Sequence, residues 1–104
     1  MDEEVLGKIN ALKGVVGITL ADLYGEVLSS TISDEQLNEF ITFLPGITPV
    51  IEEELAMGTI HRLMLKGPNE KNLTVFIESK QSLAVESEAR SPIQVLTQQI
   101  NEII

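Results

Sequence analysis

His61 is the one histidine of the chain, and there is no cysteine. An imidazole needs further ligands to hold a metal, or an orienting partner to activate a nucleophile. Thiolate zinc sites, thiol nucleophiles and disulfides are excluded outright. His61 is therefore expected to be a surface or interface residue. Glu52, Glu53 and Glu54 form a carboxylate run. At successive helical positions they point in different directions, which suits a solvated face, or the fringe of a groove for a basic surface, better than a cation site. Neither Gly-x-x-x-x-Gly-Lys-Ser/Thr nor Gly-x-Gly-x-x-Gly occurs, so the sequence holds neither usual phosphate cradle. Arg62 has the chemistry to stabilise phosphoryl-transfer charge in a second protein, but a cross-strand or dimer contact is the plainer expectation. Tyr24, the one tyrosine, is expected to pack at a hairpin corner. Met57 and Met64 are expected to fill gaps in a core or to line an adaptable contact surface. No catalytic, cofactor or metal site follows from these residues, and no enzyme is expected.

The scaffold that positions them is small. With 104 residues, 43% of them hydrophobic, the chain is expected to form one domain over 1–104. A chain of this size removes roughly two thirds of its unfolded surface from water, enough to fold without staples. Sixteen acidic residues against seven basic ones give a formal charge of −9. That balance repels phosphate backbones and anionic lipid, so nucleic acid is excluded as an expected partner. No apolar run approaches the ~20 residues of a bilayer span, so membrane insertion is not expected. Met1-Asp2-Glu3-Glu4 is the opposite of the basic start of a secretory signal, and a cytoplasmic protein is the expectation.

Val5, Leu6, Ile9 and Leu12 repeat at helical spacing, after an acidic start and before Gly14, which is placed to stop a helix. The β-branched run Val15–Asp22 reads as a central strand, and a turn around Gly25 leads to a second strand over 27–32. Ser33 is placed as the N-cap of a second helix, with Gln36 reaching back. Leu37, Phe40, Ile41 and Leu44 supply the apolar stripe of that helix. Pro45-Gly46 is expected to split it into two pieces at an angle, the second carrying Val50, Ile51, Leu55 and Met57 and ending at Gly58. Residues 60–66 alternate as an edge strand, turn chemistry fills Gly67 to Asn72, and two further strands occupy 73–78 and 82–88. Ser91 as N-cap and Pro92 at the first helical position open a closing helix with Ile93, Leu96, Ile100 and Ile103 on one side. The order is α-β-β-α-β-β-β-α.

That order, the Val15-Val16-Gly17 run, the Asp22-x-x-Gly25-x-Val27-Leu28 hairpin and the Pro92 helix start together resemble the roadblock / dynein light chain family over nearly the whole chain. Profilin-like and longin domains share a similar sheet. The resemblance implies an α+β sandwich, a five-stranded antiparallel sheet with the first and last helices on one face and the middle helix on the other. It also implies a homodimer joined through third strands and middle helices, and a role as scaffold or regulator of small Ras-like GTPases or as a motor-complex subunit. Carried onto this chain, the pairing strand is Thr59 to Lys66, and the interface residues are Leu44, Ile47, Val50, Ile51, Leu55, Ile60, Arg62 and Met64. An apolar strand at a sheet edge independently asks to be covered, and a two-fold axis lets it pair with its own copy. The alternatives are a profilin-like sensor of a small apolar ligand and a structural subunit of a larger assembly.

Overall fold

The computed structural model describes residues 1–56, 58–66 and 71–104. The elements are α1 (Glu3–Asn10), β1 (Val15–Asp22), β2 (Val27–Ser30), α2 (Glu35–Leu55), β3 (Arg62–Lys66), β4 (Asn72–Ile77), β5 (Gln81–Ser87) and α3 (Ile93–Ile103). The strands form one sheet in the order β2-β1-β5-β4-β3, and each neighbouring pair is antiparallel. Strand alternation divides the core between the two faces of this sheet. On one face Leu6 and Ile9 of α1 and Leu96 and Ile100 of α3 pack on Ile18, Leu20, Phe76, Leu83 and Val85. On the other, Ile41 and Leu44 of α2 pack with Ile32 on Leu73, Val75 and Ala84. The α+β sandwich expected from the sequence is the fold observed.

Local chemistry sets the junctions. Asp2 caps α1 by accepting from Val5 N–H at 2.9 Å, and the helix ends at Asn10, ahead of Gly14. Gly14 instead turns the chain into β1 with φ of +90°, where a Cβ would collide with the Ser91 hydroxyl. Ser91 therefore packs against that turn. The N-cap of α3 is Pro92, with no side-chain cap bond, which corrects the expected Ser91 cap. In the β1–β2 hairpin, Asp22 Oδ1 accepts from Tyr24 N–H and Glu26 N–H, both at 2.9 Å, and Gly25 takes φ of +89°. This closed turn points Tyr24 outward, so the expected packing of Tyr24 is not found; it is 97% exposed.

Three expectations about α2 change. Its N-cap is Asp34, one residue after Ser33, because the Asp34 carboxylate reaches Gln36 N–H (3.0 Å) and Leu37 N–H (3.2 Å) and carries the charge that a helix N-terminus favours. The helix also runs unbroken through Pro45 and Pro49. A proline at 49 leaves the Pro45 carbonyl without its usual amide donor, and the Thr48 hydroxyl donates to that oxygen instead, at 3.1 Å. Ile41 and Leu44 before Pro45 and Thr48 after it are all buried, which keeps one side of the helix inward across that proline. Finally, α2 ends at Leu55 with Ala56 left-handed at φ 50°, ahead of Gly58. The contribution expected of Met57 and the turn at Gly67 to Glu70 fall outside the described residues.

Asn38 ties α2 to the sheet. Its Oδ1 accepts from the Thr19 hydroxyl at 2.6 Å and its Nδ2 donates to Ile32 O at 2.9 Å. At the other end of α2, Glu52 Oε1 accepts from Ile60 N–H at 2.9 Å, fixing the path from the helix into β3.

Ile41→Ala should lower the unfolding free energy by about 2–5 kcal/mol, since Ile41 is fully buried. Urea denaturation reads this directly, and a loss under about 1 kcal/mol would contradict the seat of α2 on the sheet. Glu52→Ala should speed hydrogen exchange of the Ile60 amide on the order of tenfold, from the loss of a charge-assisted bond. The Ile77 amide, bonded to His61 O at 2.8 Å, is the internal control. Equal acceleration of both amides would show general loosening and no specific role for Glu52.

Candidate functional site: the β3 edge and the outer side of α2

β3 is an edge strand whose inner neighbour is β4. Ile77 N–H donates to His61 O, and Arg62 pairs with Phe76, Leu63 with Val75, Met64 with Thr74 and Leu65 with Leu73. Antiparallel alternation then directs the backbone N–H and C=O of Leu63 and Leu65 toward β4, and those of Arg62, Met64 and Lys66 outward. Met64, the middle residue of the strand, is 53% exposed. Among the described residues no strand meets these outward groups, and such a row beside an apolar side chain is a template for another strand.

The side chains of β3 divide between the sheet faces. The Arg62 guanidinium lies 5.6 Å from the centre of the Phe76 ring, placing Arg62 and Met64 on the α1/α3 face. Leu63 packs toward the core under α2, and Leu65 lines a groove with Leu37, Phe40 and Leu73. The expected interface residues are thus not one patch on one face. Val50 and Leu55 of α2 are exposed, Ile47, Ile51 and Ile60 are half-buried, and Leu44 is buried in the chain's own core at 3% exposure. Leu44 is removed from the set, because it lies on the same helical stripe as Ile41 and Thr48.

Two residues that face outward were not in that set. Phe43 is 60% exposed, and Phe40, expected on the inward stripe, is exposed as well. At 100° per residue, Phe40, Phe43, Ile47 and Val50 form a second apolar stripe beside the buried one of Leu37, Ile41, Leu44 and Thr48. The signal was in the sequence as a helix too apolar for a single stripe. Of the residues considered for chemistry, His61, Glu53 and Glu54 are exposed. Glu52 is engaged with the Ile60 amide. Among the described residues no three His, Asp or Glu side chains converge as a metal site.

A scan against protein-family models finds no match. Among curated proteins none matches. Solved structures are similar along nearly the whole chain. A roadblock/LC7 domain from Streptomyces avermitilis is similar with a TM-score of 0.74 and 17% identity, covering 99% of this chain and 92% of that one. MglB in a tetrameric arrangement is similar with a TM-score of 0.75 and 16% identity, covering 95% and 81%. LokiProfilin1, in a complex with rabbit actin, is similar with a TM-score of 0.62 and 14% identity, covering 99% and 93%. Identities this low speak to architecture, and on that ground the chain has the roadblock/LC7 fold.

Proposed function

We propose that this chain is a non-catalytic, cytoplasmic protein-interaction module that pairs with its own copy through β3 and the outer side of α2, and that it serves as scaffold or regulator of a small Ras-like GTPase. The observation that carries the pairing is the outward row of β3 amides around Met64, next to an α2 whose Phe40, Phe43, Val50 and Leu55 are exposed. Antiparallel pairing about a two-fold axis at Met64 extends the sheet across both copies and covers these groups together. The tetrameric arrangement of MglB supports self-association as a habit of this fold. The GTPase belongs to the reading through the family resemblance of residues 15–28 and 92. No described helix is long and apolar enough to cross a membrane.

A second reading has one observation in its favour. A groove of about 420 Å³ between α2 and the sheet, with Leu37, Phe40, Leu65 and Leu73 in its lining, has room for a small apolar molecule. Native mass spectrometry of freshly purified protein separates the readings, since a retained small-molecule adduct belongs to the sensor alone.

Met64→Asp should weaken self-association by at least about tenfold, because it sets two carboxylates beside each other across the axis in a partly desolvated contact. Light scattering after size-exclusion chromatography over a range of concentrations measures this. An unaltered dimer would place the interface elsewhere. For the partner, the wild-type chain should bind at least one small GTPase of its own genome, in one nucleotide state more than the other. Indifference to both states of every such GTPase would refute that part of the reading.

A further inference from the structure

The sheet has two ends as well as two edges. Val15, Ser87, Asn72 and Lys66 are cross-strand neighbours at one end. Lys13, Lys66, Lys71 and Arg90, four of the seven basic residues, lie at or just beyond these strand ends. Lys13 and Arg90 line a groove of about 410 Å³ together with Glu88, Pro92 and Val95. A second groove of about 350 Å³ adjoins it, sharing Pro92 and Val95 and adding Lys66. Val95 is more than half exposed at 53%. Among the described residues the one ion pair is Lys8 with Glu4, so no carboxylate lies within 4.0 Å of Lys13 or Arg90 despite the acidic composition.

The opposite end has the complementary character. β1 runs from the basic end to Asp22, which pairs with Gln81, and the hairpin turn Asp22 to Glu26 projects there. No Lys or Arg occurs between residues 14 and 61. Asp22 is occupied in holding the turn, which leaves Glu26 as its outward carboxylate. Glu78 and Lys80 flank the same end and offset each other. At the tip, Tyr24 is 97% exposed and Leu23 is 40% exposed. An aromatic side chain so fully in water, next to a carboxylate, matches a groove that sets Pro92 and Val95 beside Lys13 and Arg90, neither of which is ion-paired among the described residues.

We propose that the hairpin tip of one copy, through Tyr24 and Glu26, seats in the Lys13–Arg90 groove of another, so that copies associate head to tail. Such a contact is heterologous, and repeated it extends an assembly without closing it. The net charge of −9 opposes the approach of two copies. The Debye length of about 8 Å at physiological ionic strength screens that repulsion, while groups in contact still attract. The end-to-end contact uses neither β3 nor α2 and stands independently of the pairing proposed above.

A charge swap tests the proposal. Sedimentation velocity of the full chain at 150 mM salt, from micromolar to millimolar concentration, follows the wild type, E26K, K13E/R90E and an equimolar mixture of the two variants. The wild type should grow beyond its smallest species. E26K and K13E/R90E alone should each raise the apparent Kd of growth by at least about tenfold. The mixture should recover growth, because each tip then faces a groove of opposite charge. Unchanged circular dichroism melts establish that both variants fold, and Tyr24→Ser, which alters no charge, should also suppress growth. Absence of growth in the wild type, growth indifferent to either reversal, or no recovery in the mixture would overturn the proposal. The same series on a Met64→Asp background separates the two contacts: loss of β3 pairing changes the size of the unit that adds, and not whether units add.

Discussion

An antiparallel sheet can bury both faces by packing, but its outer strands keep backbone amides and carbonyls that only another strand or water can satisfy. In this chain three helices cover the two faces, and among the described residues no further strand pairs with either edge. β2 is four residues long and carries an irregularity in its pairing with β1 between Leu20 and Ala21, both of which blunt an edge. β3, five residues long, has no such irregularity, and its charged residues Arg62 and Lys66 stand only at its two ends. It is regularly paired from Arg62 to Lys66 and presents Met64 and Leu65 to solvent. Everything proposed about pairing depends on this asymmetry between the two edges.

The second constraint is the apolar breadth of α2. One stripe of a helix suffices to cover a sheet face, and Leu37, Ile41, Leu44 and Thr48 supply it. Phe40, Phe43 and Val50 are exposed on a second stripe, which Ile47, half-buried against that core, joins to the first. The helix is anchored at both ends by polar contacts, Asn38 to Thr19 and Ile32, and Glu52 to the Ile60 amide. The second stripe and the β3 edge are therefore held in fixed relation, which a surface that recognises its own copy requires.

Much of this was legible in the residues. Val15–Asp22 is a strand with the boundaries its β-branched run implies, the Asp22–Gly25 turn takes the geometry its residue types demand, and the order of elements holds throughout. The errors have a common physical origin, because each concerns a choice between adjacent groups that sequence leaves nearly equal. Asp34 displaces Ser33 as a cap because a charged acceptor at the next position reaches two amides at once. Ser91 yields to Pro92 because its hydroxyl packs on Gly14, distant in sequence. Pro45-Gly46 does not split α2, because buried Ile41 and Leu44 before it and buried Thr48 after it keep one side of the helix inward, and the carbonyl that Pro49 orphans is met by the Thr48 hydroxyl, contacts that exist only in the folded chain. The interface set joined α2 residues to Arg62 and Met64, which lie on the opposite face of the sheet, and took in the buried Leu44. Period-two and period-3.6 patterns reveal which residues share a side, but not which side meets the core first.

The amide of Met64 offers the most direct test of β3 pairing. It points away from β4, so among the described residues of one chain it has no strand partner. Hydrogen exchange of the wild-type protein at high concentration, followed residue by residue by NMR, should find the Met64 amide protected to a degree comparable with the inward Leu63 and Leu65 amides, and losing that protection on dilution. Rapid exchange at Met64 at every concentration, with Leu63 and Leu65 protected, would mean that the edge is bare in solution and that β3 does not pair.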